Sequence, residues 1–275
     1  MTYIAYSQSS IFLFTLGLII NGIMLSFSGW AGISHELFHR SIFKEKKLNT
    51  FLSRLFSLLT WNNYSYFRYS HYLHHKFALF ENDPEAPSET KPALSRIFWE
   101  LTIDFPFLIR RIKILLKNAQ GNIPGIVGKQ IEKNGELSQK NAIANGAKLV
   151  LVFHLMILFY SVFSRNFQLI LLINLGPYTF TFLARSLETI QHHGKLRNVE
   201  DFRLNTRTVR INPLIGMLYA NMNFHVEHHI FPALPFYNIK KANLLLHKIG
   251  FFTEKEQEGF LSIISYLYKN TNKKF

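Results

Sequence analysis

The chain has 275 residues, of which 48% are hydrophobic and only 17% charged, against about 25% charged in a soluble domain. It has no Cys, which excludes disulfide scaffolds, thiolate zinc sites, iron–sulfur clusters, thiolate haem and a cysteine nucleophile. Lys and Arg outnumber Asp and Glu by 31 to 17, a balance that suits nucleic acid, an anionic membrane face or an acidic partner.

Residues 1–34 carry no charged side chain, and Ile11–Trp30 is a mostly apolar run long enough, at about 30 Å as a helix, to cross a bilayer. No basic segment or small-residue cleavage site accompanies it, so it reads as an anchor rather than a signal peptide. HELFH follows at 35–39. The 48–67 stretch, with Arg54, and the 93–116 stretch, with Arg96, Glu100, Asp104, Arg110, Arg111 and Lys113, are amphipathic and suit helices lying on the membrane or re-entering it. HYLHH lies between them at 71–75. Residues 117–146 are polar and Gly-rich and read as a surface loop. Leu149–Phe163 and Phe167–Ala184 are apolar blocks separated by Ser164-Arg165-Asn166, which reads as a tight transmembrane hairpin. HVEHH stands at 225–229, and the chain closes on a soluble tail, Lys269–Phe275.

The expectation is therefore a single-domain, all-α integral membrane protein spanning residues 1–275. It has about three transmembrane helices (one plus a hairpin), interfacial amphipathic helices and a helical cap. Three crossings place 35–148 and 185–275 on one side, together with every Lys and Arg except Arg165. The positive-inside rule makes that side cytoplasmic. Topology thus accounts for the basic charge, and no nucleic-acid module is present, so nucleic acid is set aside as a partner.

All three histidine clusters fall on that same side. On a helix, residues i, i+3 and i+4 share one face, so each cluster can aim several imidazoles at a centre. The clusters hold eight residues, His35, His39, His71, His74, His75, His225, His228 and His229. Eight imidazoles exceed what one tetrahedral zinc uses, and two metal ions fit the number better. With no Cys and no clear carboxylate cluster, the donor set suits iron, copper or zinc rather than calcium or magnesium.

HELFH, HYLHH and HVEHH resemble the histidine boxes of the membrane fatty-acid desaturase superfamily, a group of desaturases, hydroxylases and carotenoid-modifying oxygenases. The third box carries most of the likeness, because HVEHHIFPALPFYNI has the Pro-x-x-Pro-aromatic tail of that group. The resemblance runs from about residue 30 to residue 245. It implies a cytoplasmic cap holding two iron ions (Fe2+/Fe3+), with O2 as co-substrate. It also implies a ninth ligand upstream of the third box, for which His192 in TIQH is the best match and His193 the alternate. Asn82-Asp83-Pro84 after the second box resembles a recurrent feature of the group. Many members have two spanning helices before the first box, whereas one is expected here.

The resemblance implies oxidation of an unactivated C–H in a membrane lipid or acyl chain, by desaturation or by hydroxylation. A carotenoid or other lipid hydroxylase or ketolase of the same group is the alternative. The chain has no dinucleotide fingerprint and no haem extension, so electrons must come from outside, from an acidic ferredoxin or a cytochrome with its reductase docking on the basic face. HELFH also satisfies H-E-x-x-H, the zinc metalloprotease pattern, in which Glu36 is the general base. That reading leaves HYLHH and HVEHH unexplained, so Glu36 is expected to orient an imidazole N–H. Glu227 is expected to be solvated, and Asn221 and Asn223 to support the ligands from behind or to hold water beside the third box. His154 is read as a neutral His bonded to a neighbouring helix or as an intramembrane functional group, and His247 as structural. Arg185 and Glu188 are expected to pair or to brace the site.

Overall fold

The structure is a computed structural model that describes residues 8–87, 94–252 and 257–259; the tail expected at Lys269–Phe275 lies outside the described residues. The chain is mostly helical. Two segments among the described residues, Ile11–His39 and Leu137–Phe163, are long and apolar enough to cross a membrane.

Helix α1, Gln8–Ser26, exposes Ile11, Phe12, Leu13, Leu16, Ile20 and Met24, the surface expected of a lipid-facing anchor. A wider turn over Phe27–Ala31 then buries Phe27 and Trp30 and leads into α2, Ile33–His39. Gly29 is required there, because a Cβ would stand 2.4 Å from the Thr60 side chain. The anchor therefore delivers the first histidine box directly into the interior.

The 48–67 stretch is two helices rather than one. Helix α3, Lys46–Leu59, ends where Trp61 takes a left-handed conformation at φ 53°. Asn63 caps α4, Tyr64–Phe77, by accepting from the Tyr66 N–H. Helix α3 is inverted: Asn49, Ser53 and Ser57, four residues apart, are buried, while Leu48, Phe51 and Leu55 face out. A small polar stripe packed inward with an apolar face outward is the pattern of a helix against lipid. The 93–116 stretch likewise splits, into α5, Leu94–Leu101, and α6, Phe105–Ala119, whose first turn is capped by Asp104.

Residues 117–146 are not a loop. Helix α7 occupies Gly125–Asn134, and α8, Leu137–Phe163, begins inside the same stretch. Val127, Ile131 and Ile143 are almost wholly buried and pack with Leu73 of α4. Three apolar residues spread through a polar segment are enough to fix two helices once α4 supplies a surface.

The expected second limb of the hairpin, Phe167–Ala184, follows α8 back but is not a helix throughout. It is a wide turn at Ile170–Asn174, a tight turn at Gly176–Tyr178, a left-handed Phe180, and then the start of α9, Phe182–His192. Pro177 has no N–H to give and disfavours helix in the residue before it. Broken backbone in an apolar setting needs donors from elsewhere. Asn21 Nδ2 donates to Leu172 O at 2.9 Å, and Trp61 Nε1 donates to Asn174 O at 2.9 Å. His154 of α8 stacks on Trp61 with 3.8 Å between ring centroids, and its Nε2 donates to Leu58 O at 3.0 Å. It is the bonded His of the two readings.

The remainder forms the cap: α10, Phe202–Asn205; β1, Thr208–Arg210; α11, Pro213–Leu218; α12, His225–Ile230; α13, Ile239–Lys248; and β2, Gln257–Gly259. The two three-residue strands pair in parallel, Thr208 opposite Gln257, a small addition to the helical expectation. Trp30, Phe107 and Tyr178 pack with ring centroids 5.4–5.7 Å apart in the main core, between the anchor and the cap.

Candidate metal centre

Four helices supply the histidines. Helix α2 brings His35 and His39, α4 brings His71, His74 and His75, α9 ends on His192, and α12 brings His225, His228 and His229. Their ring nitrogens form two groups: His35, His39, His71, His75 and His228, and then His74, His192, His225 and His229, with donor atoms within 4.8 Å of one another in each. All nine residues singled out from sequence are in these groups. His193 is in neither; its carbonyl accepts from Arg207 Nη2 at 2.7 Å.

The partition corrects one expectation. The H-x-x-H-H clusters do not each serve one centre. In α4 the i and i+4 residues, His71 and His75, join the first group while the i+3 residue, His74, joins the second. In α12 the assignment is reversed: His225 and His229 join the second group and His228 the first. Positions i+3 and i+4 lie about 100° apart around the axis, so a helix lying between two centres divides its imidazoles in this way.

The rings meet through Nε2. His71 Nε2 stands 2.9 Å from that of His39 and 3.0 Å from that of His75, which is 3.1 Å from that of His228. In the second group His225 Nε2 lies 3.1 Å from that of His192 and 3.2 Å from that of His229. Hydrogen bonding does not explain these contacts. The Nδ1 of His71 faces Glu85 Oε2 at 3.0 Å, that of His74 faces both Asp83 oxygens at 3.0 Å, and that of His192 faces Asn205 O at 2.9 Å. Each of these acceptors holds the proton on Nδ1 and leaves a lone pair on Nε2. The single lone pair of His71 Nε2 can accept from only one of its two neighbours. A shared cation satisfies all of them, and nitrogens bound at about 2.1 Å to one ion at right angles are about 3 Å apart. The donor set fits metal.

Burial keeps the donors neutral. It holds His71, His225, His228 and His229 well below the usual histidine range, with the neighbouring imidazoles adding to the effect, and lowers His192 to about 3. His74 differs: burial pulls it down, but the hydrogen bond and charge of Asp83, with Glu85 behind, more than offset that and raise it. Metal-free protein follows from these directions. Below 6.5 the unfolded chain takes up protons that the buried imidazoles refuse, so stability falls as pH falls. Chelator-treated protein should show a lower Tm at pH 5.5 than at 7.5, and an unchanged Tm would mean that the imidazoles are solvated.

The supporting groups were only partly legible. Asp83 lies in the Asn-Asp-Pro noted from sequence, and its carboxylate also accepts from Leu79 N and Glu85 N. Glu85, held by Ser70 at 2.8 Å, was missed, although an Asp-x-Glu shortly after the second box is a usable signal. Carboxylates behind ligating imidazoles fix tautomer and orientation. Asp83→Asn is therefore expected to weaken metal retention by about tenfold or more, measured by chelator competition on purified protein.

Glu36 is buried; its Oε1 is 3.4 Å from His228 Nδ1, and its Oε2 accepts from Ser41 at 2.9 Å. Glu227 is buried rather than solvated, and accepts from Thr208 and Asn243, tying the third box to β1 and α13. Asn223 donates to Val209 O and Asn221 to Phe236 O, so both shape the backbone before α12. Arg185 pairs with Glu188 at 3.8 Å and reaches Glu100 at 3.7 Å. His247 packs 5.1 Å from the Phe252 ring.

A cavity of about 710 Å³ opens on both groups. Its wall includes His35 and His71 of the first, His74, His192 and His225 of the second, and Trp30, Phe67, Phe107 and Met222. That volume suits one organic ligand.

The family model described as fatty acid desaturase matches residues 9–250. No curated protein matches the chain.

Proposed function

The chain belongs to the fatty acid desaturase family, and from that premise we propose an integral membrane oxidoreductase, one domain over 1–275, that oxidises an unactivated C–H in a lipid acyl chain with O2 at two iron ions. The observation that carries this reading is the division of nine imidazoles, bare at Nε2 where the tautomer is fixed, into groups of five and four facing one cavity. His35, His39, His71, His75 and His228 would hold one ion, and His74, His192, His225 and His229 the other. Five donors exceed the four of a tetrahedral zinc site. Bound there, the irons supply the oxidising power toward an unactivated C–H bond that O2 alone lacks.

The chain's own residues do the rest. Glu85, Asp83 and the Asn205 carbonyl keep a proton on the Nδ1 of His71, His74 and His192, so Nε2 is available without a rearrangement. Trp30, Phe67, Phe107 and Met222 give the cavity an apolar wall that seats an acyl chain and excludes water. Desaturation is the outcome in keeping with the family. The protease reading loses support because Glu36 is buried, faces an imidazole and Ser41, and is not among the residues that line the cavity.

The sidedness of the basic residues supports a cytoplasmic site, and the same basic face suits an acidic ferredoxin, or a cytochrome with its reductase, as electron donor. The test is lipid analysis of membranes containing the protein with an electron-donor system and O2. A new unsaturated or hydroxylated acyl product is expected with the unaltered chain. His228→Ala should abolish it while the protein stays membrane-inserted. Turnover retained in that variant would remove His228 from the site and overturn the reading.

A further inference from the structure

Between α3 and α4 the chain turns through Trp61, Asn62 and Asn63, all three buried. Each sends a side-chain N–H to the backbone of a different segment. Trp61 Nε1 donates to Asn174 O of the return limb at 2.9 Å, Asn62 Nδ2 to Gly29 O at 3.3 Å, and Asn63 Nδ2 to Ile143 O of α8 at 2.8 Å. Asn63 Oδ1 accepts from Tyr66 N at 3.4 Å and so fixes where α4 starts. Two glycines permit the close approach. Gly29 faces Thr60, and a Cβ on Gly146 of α8 would stand 2.6 Å from Asn63 Oδ1. Asn174 Nδ2 donates to His154 O at 3.0 Å and His154 Nε2 to Leu58 O at 3.0 Å, which closes a ring of bonds from the end of α3 through the return limb and α8.

The turn therefore ties the stem of α2 to the start of α4, because Gly29 lies in the wide turn that runs directly into α2. Those two helices dominate one histidine group. His35 and His39 of α2 with His71 and His75 of α4 are four of the five donors in the first group, whereas the second takes His74 alone from α4 and nothing from α2. Neither box sets the distance between the helices, yet donors must be held to within about 0.5 Å. Asn62 is wholly buried and its Oδ1 takes no donor among the described residues. A buried acceptor left unmade is a cost that an apolar residue would avoid, so the bond to Gly29 O is what the fold gains from Asn.

We propose that Asn62 and Asn63 are positioning residues of the first histidine group. Asn62 holds the entry to α2, and Asn63 fixes the start of α4 against α8, so that the two pairs of imidazoles meet in register. The assignment rests on the two-ion reading above and adds to it residues that belong to neither donor group.

The test is titration of purified protein with Co2+ against a competing chelator, in two backgrounds. His225→Ala leaves the first group to fill, and His71→Ala leaves the second. Asn62→Ala should weaken Co2+ binding by about tenfold or more in the first background, the scale on which partners behind metal ligands act, and leave the second background unchanged. Asn63→Ser keeps an acceptor for the Tyr66 N–H but is too short to reach Ile143 O, so its loss should be smaller than that of Asn63→Ala. A second readout needs no metal. The chain has no Cys, so nitroxide labels on Ile33→Cys of α2 and Arg68→Cys of α4, both at exposed positions, report the distance between the helices in metal-free protein. Asn62→Ala and Asn63→Ala should broaden that distance distribution. Equal weakening in both backgrounds, or an unchanged distribution, would overturn the proposal. Unaltered protein that binds fewer than two Co2+ ions would sink the two-ion reading, and the label distances would then decide the role of the two asparagines by themselves.

Discussion

Purified with iron in excess, the chain is expected to carry about two metal ions, set by imidazole donors that accept first-row metals broadly. The two should be separable by mutation. His71→Ala removes the ring that contacts both His39 and His75, so the first group should empty while the second stays filled. His225→Ala removes the ring between His192 and His229, with the opposite result. Metal per chain should fall to about one in each variant, and product formation should be lost in both. Zinc competes with ferrous iron at nitrogen sites, so the count per chain is the decisive number. A single ion lost only on changing His35 or His39 would return the argument to H-E-x-x-H and the protease.

The ligands were legible because helical spacing is local. His71, His74 and His75 share a face whatever the rest of the chain does, and three such clusters, which the expected topology puts on one side, leave few alternatives. Their division between two centres was not legible, since it depends on where α4 and α12 lie relative to each other. The same limit hid Glu85: it reaches the cavity from the turn after α4, and no spacing in the sequence announces that meeting. His192 came from the resemblance alone, because a lone His at a helix end has no periodic partner. The 117–146 segment was misjudged because its apolar residues are few, yet Val127, Ile131 and Ile143 all find Leu73. Hydropathy reads Phe167–Ala184 as one apolar block and is blind to Pro177 in its middle, and the path back from α8 is irregular from Ile170 to Phe180.

That irregular path predicts a sharp contrast between two glycines of α1. A Cβ on Gly22 would stand 2.0 Å from Thr179 O and 2.8 Å from Thr179 C, both backbone atoms, whereas one on Gly17 meets nothing within 4 Å. Gly22→Ala is therefore expected to destabilise the protein by about 3 kcal/mol, at the upper end of ordinary overpacking because backbone must move. Gly17→Ala should raise stability by about 0.5 kcal/mol, from the entropy a helical glycine loses. Thermal unfolding in one detergent compares the two. The clash also bears on the site. Asp104 N donates to Tyr178 O at 2.7 Å and Phe180 N to Thr102 O at 2.8 Å, so a shift of Thr179 pulls on the start of α6 and with it Phe107 and Arg110. Folded Gly22→Ala protein should thus lose product formation while keeping its metal, since α6 lines the cavity but supplies no ligand. Equal stability of the two variants would mean that the return limb does not pass against α1 at Gly22 and crosses elsewhere as a continuous helix.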